Sequence, residues 1–309
     1  MAQRGKKKES VDPSFRDLKA EYYPVQRQVG LATAAQGTRY LLDVGRVLST
    51  VNHRLYRQGK TYQVKIDIDN RADVNLRPAQ YDVYALTDTW YVQKAWQMAR
   101  ANYLRATAAE RGSMSDNYVA RWEDFRVSHG IGSSVTVVPY QYSEALAGAV
   151  NTDGEFDLTE VTLADGSTQR TYTWGSTPSA SEWSILQEYD KSGNTDASPA
   201  SVTSSNAYAG SDGDVHDTQA EDLKNRGNLP PYNRTNFTDN VWVKVATLDN
   251  SGTGNPGDSS SSRMTTGYFN APCGLVVIVP SIAHTLAGDV SMTVKSGKYK
   301  GTAAMNMGA

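Results

Sequence analysis

One cysteine in 309 residues is too few for a disulfide framework and excludes a multi-cysteine zinc site. Histidine is nearly as scarce: His53, His129, His216 and His284 sit in unrelated settings, with no HExxH or HxH spacing to hold a catalytic metal. No GxSxG elbow occurs, and His129-Gly-Ile-Gly-Ser-Ser lacks the Gly-Lys-Ser/Thr ending of a phosphate loop. Long apolar runs are missing too. The best, Leu275 to Val279, is strand-sized, whereas a membrane helix needs roughly 20 such residues. The opening MAQRGKKKES carries no apolar segment of a secretory signal. These absences point away from an enzyme and a membrane partner, and toward a soluble protein made in a reducing compartment.

What is abundant is tyrosine, 18 residues against 5 phenylalanines. Tyrosine combines a large apolar body with a polar tip, which suits strands and contact surfaces. Charge is unevenly spread beneath a net value of −2. Residues 1–60 hold 12 Lys/Arg against 5 Asp/Glu, while residues 141–309 hold 10 against 19. A basic leading end over an acidic remainder is the pattern of an arm that faces a polyanion.

Residues 1–11 read as a basic, disordered tail, and Asp12-Pro13 as the cap and first position of a short helix through about Tyr22, within an N-terminal arm and first elements over 12–60. In 39–58, Leu41, Val44, Leu48, Val51 and Leu55 recur at spacings of three and four, which predicts an amphipathic helix. Gly45, Thr50 and the valines favour instead a strand pair broken near Asn52, and both readings stay open. Tyr62 to Asp69 alternates cleanly and predicts a strand, as does Tyr81 to Leu86. Trp90 to Arg111 predicts a helix ended by Gly112, and Ser115 to Phe125 a second helix capped by Ser115.

From Ser134 the texture turns to strands at 134–141, 156–163, 168–174, 183–189, 241–248, 266–279 and 290–294, with a hairpin turn at Asp165-Gly166. Residues 190–218 and 249–263 are rich in small polar residues and read as exposed loops. The fold class expected is mainly β: a jelly-roll β-sandwich over 61–309 with a helical insertion at 90–127.

No catalytic set emerges. Cys273 lies in APCGLVVIV and reads as a buried, inert thiol. Asp67, Asp69 and Asp73 resemble the start of a calcium loop, but Arg71 takes a ligand position and the closing Gly and Glu are absent. The reading is a strand edge with solvated carboxylates. Asp212, Asp214 and Asp217 form an acidic loop; Ca²⁺ held between subunits by these oxygens is the alternative. Arg4, Lys6, Lys7 and Lys8, continued by Arg16 and Lys19, suit phosphate neutralisation without sequence reading. Trp90, Trp96, Arg100 and Trp122 are candidate subunit-interface anchors, because Trp and Arg dominate such contacts; packing of a helix pair on a sheet explains the tryptophans equally. Lys295, Lys298, Tyr299 and Lys300 add a late basic cluster, with Tyr299 a further interface candidate. Asn233 and Asn236 open glycosylation sequons that carry no weight without a secretory signal.

Several stretches resemble the capsid proteins of small icosahedral viruses, most of all those of circular single-stranded DNA viruses that encode a replication initiator. They are RGKKK at the start, LSTVNHRLYRQGKTYQVKIDID at 48–69, GNLPPYN at 227–233, and YFNAPCGLVVIVPS followed by MTVKSGKYKGTAAM. Together they span about a quarter of the chain. The resemblance implies a jelly-roll shell subunit that assembles with copies of itself under icosahedral symmetry. It also implies a viral genome lining the interior, single-stranded DNA ahead of RNA, and a location in the virion, reached through the host cytoplasm or nucleus. The arm here is shorter than in many such capsids, and the 90–127 insertion is large. A β-sandwich ligand-binding module, such as a carbohydrate-binding or phage tail protein, is the competing expectation.

Overall fold

Alternation of apolar and polar residues from Tyr62 to Asp69 aligns every second side chain on one face, and a strand forms there. The computed structural model describes residues 24–31, 39–69, 80–113, 122–131, 135–137, 156–163, 167–175, 178–193, 241–249, 263–280 and 289–308. The basic tail, the helix expected at 12–22, Asp73, the turn at Asp165-Gly166, residues 194–218 and the 250–262 loop lie outside these ranges. Within them strand residues outnumber helical ones by nearly two to one, so the chain is mainly β.

Two antiparallel-rich sheets share one core. The first is built on β3 (Lys60–Asp69), which pairs β13 (Asp289–Val294) on one edge, with β1 (Gln28–Leu31) beyond it. On its other edge β3 takes β10 (Arg263–Thr265) and β11 (Phe269–Ala271), and β16 (Ala304–Asn306) continues the β13 side along Lys60–Tyr62. The second sheet runs β5 (Val135–Val137), β2 (Arg39–Asp43), β12 (Leu275–Pro280), β4 (Gln80–Leu86), β9 (Trp242–Asp249), antiparallel except for the parallel β5–β2 pair. Tyr62, Val64, Ile66, Ile68, Val290 and Met292 of the first sheet meet Tyr40, Leu42, Val83, Val276 and Ile278 of the second, all buried.

The back of the second sheet is covered as well. Leu41, Leu86, Leu275 and Val277 pack against Tyr91, Val92, Ala95, Trp96 and Ala99 of helix α2 (Trp90–Ala106). Phe125, Tyr172, Trp174, Ile185 and Leu186 complete this second core. The last four come from a small sheet of β6 (Glu160–Thr162), β7 (Gln169–Thr173) and β8 (Glu182–Ser184) with its following helix, α4 (Ile185–Gly193). Burial on both faces explains why β12 reads as a continuous apolar run rather than an alternation. Each such residue contributes about 1.5–3 kcal/mol by leaving water.

Several expectations require correction. The 39–58 segment is neither one helix nor a strand pair: β2 is followed directly by helix α1 (Val44–Asn52), whose N-cap is Asp43, the Oδ1 accepting from Arg46 N at 2.9 Å. The helical periodicity therefore belongs to Val44 onward, while Leu41 faces the second core from a strand. The expected strand at 183–189 stops at Ser184 and turns into α4, because Ile185 and Leu186 pack sideways into that core. Gly112 does not end the helical region; after a break at Thr107, α3 (Ala108–Ser113) passes through it. Trp122 to Phe125 is not helical, since Phe125 is drawn into the core and Asp124 and Arg126 into a buried ion pair. The long strand at 266–279 also divides, into β11 and β12, at a 3-10 turn over Pro272–Gly274.

Candidate functional site

Beyond α1, His53 takes a left-handed conformation (φ 49°) that turns the chain out of the helix and toward β3. Three tyrosines organise the walls on either side of this turn. The Tyr56 ring is fully buried, its amide donating to Ser49 Oγ at 2.7 Å and its hydroxyl to the carbonyl of Lys300 at 2.9 Å. Tyr62 donates its hydroxyl to Arg57 O at 2.7 Å, and Arg57 N donates to Tyr299 Oη at 3.3 Å. The Tyr299 ring stands edge-on to Tyr56 and Tyr62, centroids 6.0 and 6.4 Å away. Backbone atoms of Arg57 and Lys300, some 240 residues apart in sequence, are thus held by tyrosine hydroxyls.

Lys300 sits at the tip of a hairpin between β14 (Ser296–Gly297) and β15 (Gly301–Thr302), again left-handed (φ 49°). Its ammonium lies 5.6 Å from the Tyr299 ring centroid and donates to Leu55 O. Lys60 approaches the same ring to 4.0 Å and bonds Asn306 Oδ1. Opposite, α2 supplies Arg100, whose guanidinium lies 5.7 Å from the Trp96 ring. Gly59 lets the two walls meet: a Cβ there would come within 2.4 Å of the Trp96 indole.

Between them opens a cleft of about 960 Å³, also lined by Gln97, Tyr103, Glu123, Asp124 and Asn306. Its charges divide into a satisfied set and an unsatisfied one. Arg111 and Glu123 form a two-pronged pair, and Tyr103 Oη donates to Glu123 Oε1 at 3.0 Å. The Glu123 hydrogen bond holds the Arg111 guanidinium above the ordinary arginine range. Asp124 accepts from Gln58 N at 2.7 Å and lies 3.7 Å from Arg126, which also pairs with Asp43. Burial, ahead of all other causes, pushes the Asp124 carboxyl up. By contrast Arg57, Lys60, Arg100 and Lys300 have no carboxylate partner among the described residues. Burial, then the Arg57 guanidinium, holds Lys60 below the ordinary lysine range; burial, then Arg54, Arg57 and Lys60, does the same to Lys300. This is a basin of mutually repelling cations, suited to receive an anion.

Four of the residues singled out from sequence, Trp96, Arg100, Tyr299 and Lys300, come together here. Trp96 is 5% exposed and its ring packs edge-on to Phe125 in the second core. Trp90 and Trp122 are 66% and 59% exposed. Arg4, Lys6, Lys7, Lys8, Arg16, Lys19, Asp212, Asp214 and Asp217 lie outside the described residues. Lys295 points elsewhere, its ammonium 6.0 Å from the Tyr268 ring. Sequence reasoning missed Lys60; the three-residue step Arg54, Arg57, Lys60 is the signal that marks it.

Other candidates fare differently. Asp67 is not a solvated edge carboxylate: β3 is an interior strand, and Asp67 is buried against Lys65 at 2.8 Å, with Arg263 at 3.8 Å. No cluster of three or more His, Cys, Asp or Glu able to hold a metal occurs among the described residues. Cys273 is fully buried, and desolvation pushes its thiol well up. No described helix is long and apolar enough to cross a membrane. Compared with family models, curated proteins and solved structures, the chain matches none.

Proposed function

We propose that this chain is a structural shell subunit with a jelly-roll core, which assembles with copies of itself into a closed icosahedral particle and packages nucleic acid through its basic leading end. The observation that carries the reading is the nested order of strand pairing. Counting β10 and β11 as one interrupted strand and setting aside β5 and β16, the other described strands of the two facing sheets are eight, in chain order β1, β2, β3, β4, β9, β10/β11, β12 and β13. The first pairs the eighth, the second the seventh, the third the sixth and the fourth the fifth. Two further pairings, third with eighth and fourth with seventh, roll this long hairpin into two facing sheets. This nesting supports the jelly-roll reading, an architecture of viral capsid and lectin domains and of cupins.

Two features favour the shell over the other users of that architecture. The charge asymmetry sets a basic N-terminal segment apart from an acidic remainder, which a sugar-binding module has no use for. And β9, at the end of its sheet among the described strands, exposes Val243 and Val245, while Trp90 and Trp122 are exposed at α2 and after α3. Apolar side chains along an open edge are costly in a solitary protein and are expected where subunits meet. The described elements between the fourth and fifth strands, α2, β6–β8 and α4 among them, pack on the back of the second sheet, and Trp90 and Trp122 belong to that stretch. No catalytic step is assigned to the chain.

A ligand-binding module keeps one supporting observation, a recess of about 250 Å³ with Tyr172, Trp183 and Tyr189 on its lining. Negative-stain microscopy of the purified chain separates the two. Closed particles of uniform diameter are expected; monomers or small open oligomers at every concentration and salt would remove the shell reading.

A further inference from the structure

We propose that the cleft walled by Arg57, Lys60, Arg100 and Lys300 seats the phosphodiester backbone of single-stranded nucleic acid. The inference rests on the shell reading for its partner and adds to the basic tail a second contact, built into the folded domain.

The four cations line one cleft from opposite walls, two near the start of β3, one on α2 and one on the C-terminal hairpin. Three of them are held by contacts other than ion pairs. Lys60 and Lys300 are held on the Tyr299 ring and Arg100 on Trp96, so little side-chain freedom remains to be lost on binding. Nearby anions do not form ion pairs with them: Glu123 is taken by Arg111, and Asp124, bonded to Gln58 N and close to Arg126, acts on Arg57 and Lys300 only as a longer-range attraction. Desolvation and mutual repulsion already weigh on both lysines, and a bound anion relieves both.

The dimensions select a polymer over a free anion. At about 960 Å³ the cleft reaches the upper end of small-molecule sites, roughly 300–1,000 Å³, with Lys60 and Lys300 gathered at the Tyr299 ring and Arg100 at Trp96 on α2, which leaves room for more than one phosphate. The half-buried Tyr299 supplies an aromatic ring to the lining, the kind of group on which the bases of an unpaired strand pack.

The test is a salt titration of binding, read by fluorescence anisotropy with fluorescein-labelled oligo(dT) and, in parallel, oligo(U). Full-length protein and protein lacking residues 1–11 are each compared with Lys60→Gln/Arg100→Gln/Lys300→Gln. Single-strand binding loses a log–log salt slope of about 0.7 per phosphate contact, so the triple variant should lower the slope by about 2 in both backgrounds. Lys60→Arg/Arg100→Lys/Lys300→Arg should restore it. Equal effects on the two oligomers assign a backbone contact; an effect on one alone assigns that polymer. A triple variant with native melting temperature and unchanged slope overturns the proposal, as does binding of inorganic phosphate without any oligonucleotide binding. Should the triple variant unfold, Arg57→Gln, at an exposed side chain, must still lower the slope by about 0.7, and an unchanged slope there is equally fatal. Particle formation is scored on the same preparations. Particles with a cleft-independent slope sink only the cleft, and a cleft-dependent slope without particles sinks only the shell.

Discussion

Replacing Arg126 by Met should destabilise the fold by about 3–5 kcal/mol at neutral pH, the cost of removing one partner from a buried ion pair. Arg126 is 6% exposed and bonds Asp43, itself 5% exposed, while its other terminal nitrogen lies 3.7 Å from Asp124. Methionine keeps most of the stem's volume, so the loss comes from two carboxylates left in a low-dielectric interior. Urea unfolding reads it. With a slope of about 3 kcal/mol per molar, the midpoint should fall by about 1–1.7 M. The pH dependence gives a second reading. Burial raises the Asp124 carboxyl, so its contribution to stability is present at low pH and lost as pH rises through the folded-state value. Arg126 opposes that rise. Without it the loss on raising pH is steeper, and the variant's deficit should be larger at pH 7 than at pH 5. Adding Asp43→Asn should recover part of the stability, because asparagine still caps α1 and removes one orphaned charge. The pair is not fully satisfied even in the native chain, where Arg126 Nε and Nη1 lack hydrogen-bond partners. A deficit below about 1 kcal/mol, or one equal at both pH values, would refute the reasoning.

Leu275→Ala and Ile278→Ala should each cost about 2–5 kcal/mol by thermal or urea unfolding, although the two side chains belong to opposite faces of β12. If either is tolerated as a surface change, the covered back of the second sheet is wrong. Cys273 should resist thiol reagents in the native state and react only on unfolding, since it is fully buried and its thiolate is disfavoured by desolvation. Titration with a chromogenic disulfide across a urea series checks this, and rapid labelling without denaturant contradicts it.

Much of the framework was legible in local pattern. The alternation at 62–69 and the apolar run at 275–279 marked the centre strands of both sheets, because burial on one face or two dictates period two or no period at all. The burial of Cys273 was readable from its apolar neighbours. Where two elements adjoin without a turn residue, the pattern failed. Leu41 and Val44 share a helical spacing but sit in a strand and a helix, and Trp183 and Leu186 share an apolar run but sit in a strand and a helix. In each case packing on the second core decided the boundary. Asp67 was misplaced for the same reason: two positions either side of it on the strand stand Lys65 and Asp69, both polar, and only the pairing of β3 on both edges buries it.

Composition and periodicity by themselves determined that this chain is mainly β, has a single cysteine and four histidines, and carries an excess of cations over its first 60 residues. Such features are local chemistry, which a linear string records. Which cations act together was decided by tertiary structure alone. Tyr56 and Tyr62 reach across to Lys300 and Tyr299, closing a gap of some 240 residues through hydroxyl–backbone bonds, and Gly59 lets Trp96 and Arg100 approach from α2. Electrostatic coupling depends on distance in space, and that distance exists only once the first and last strands have rolled together.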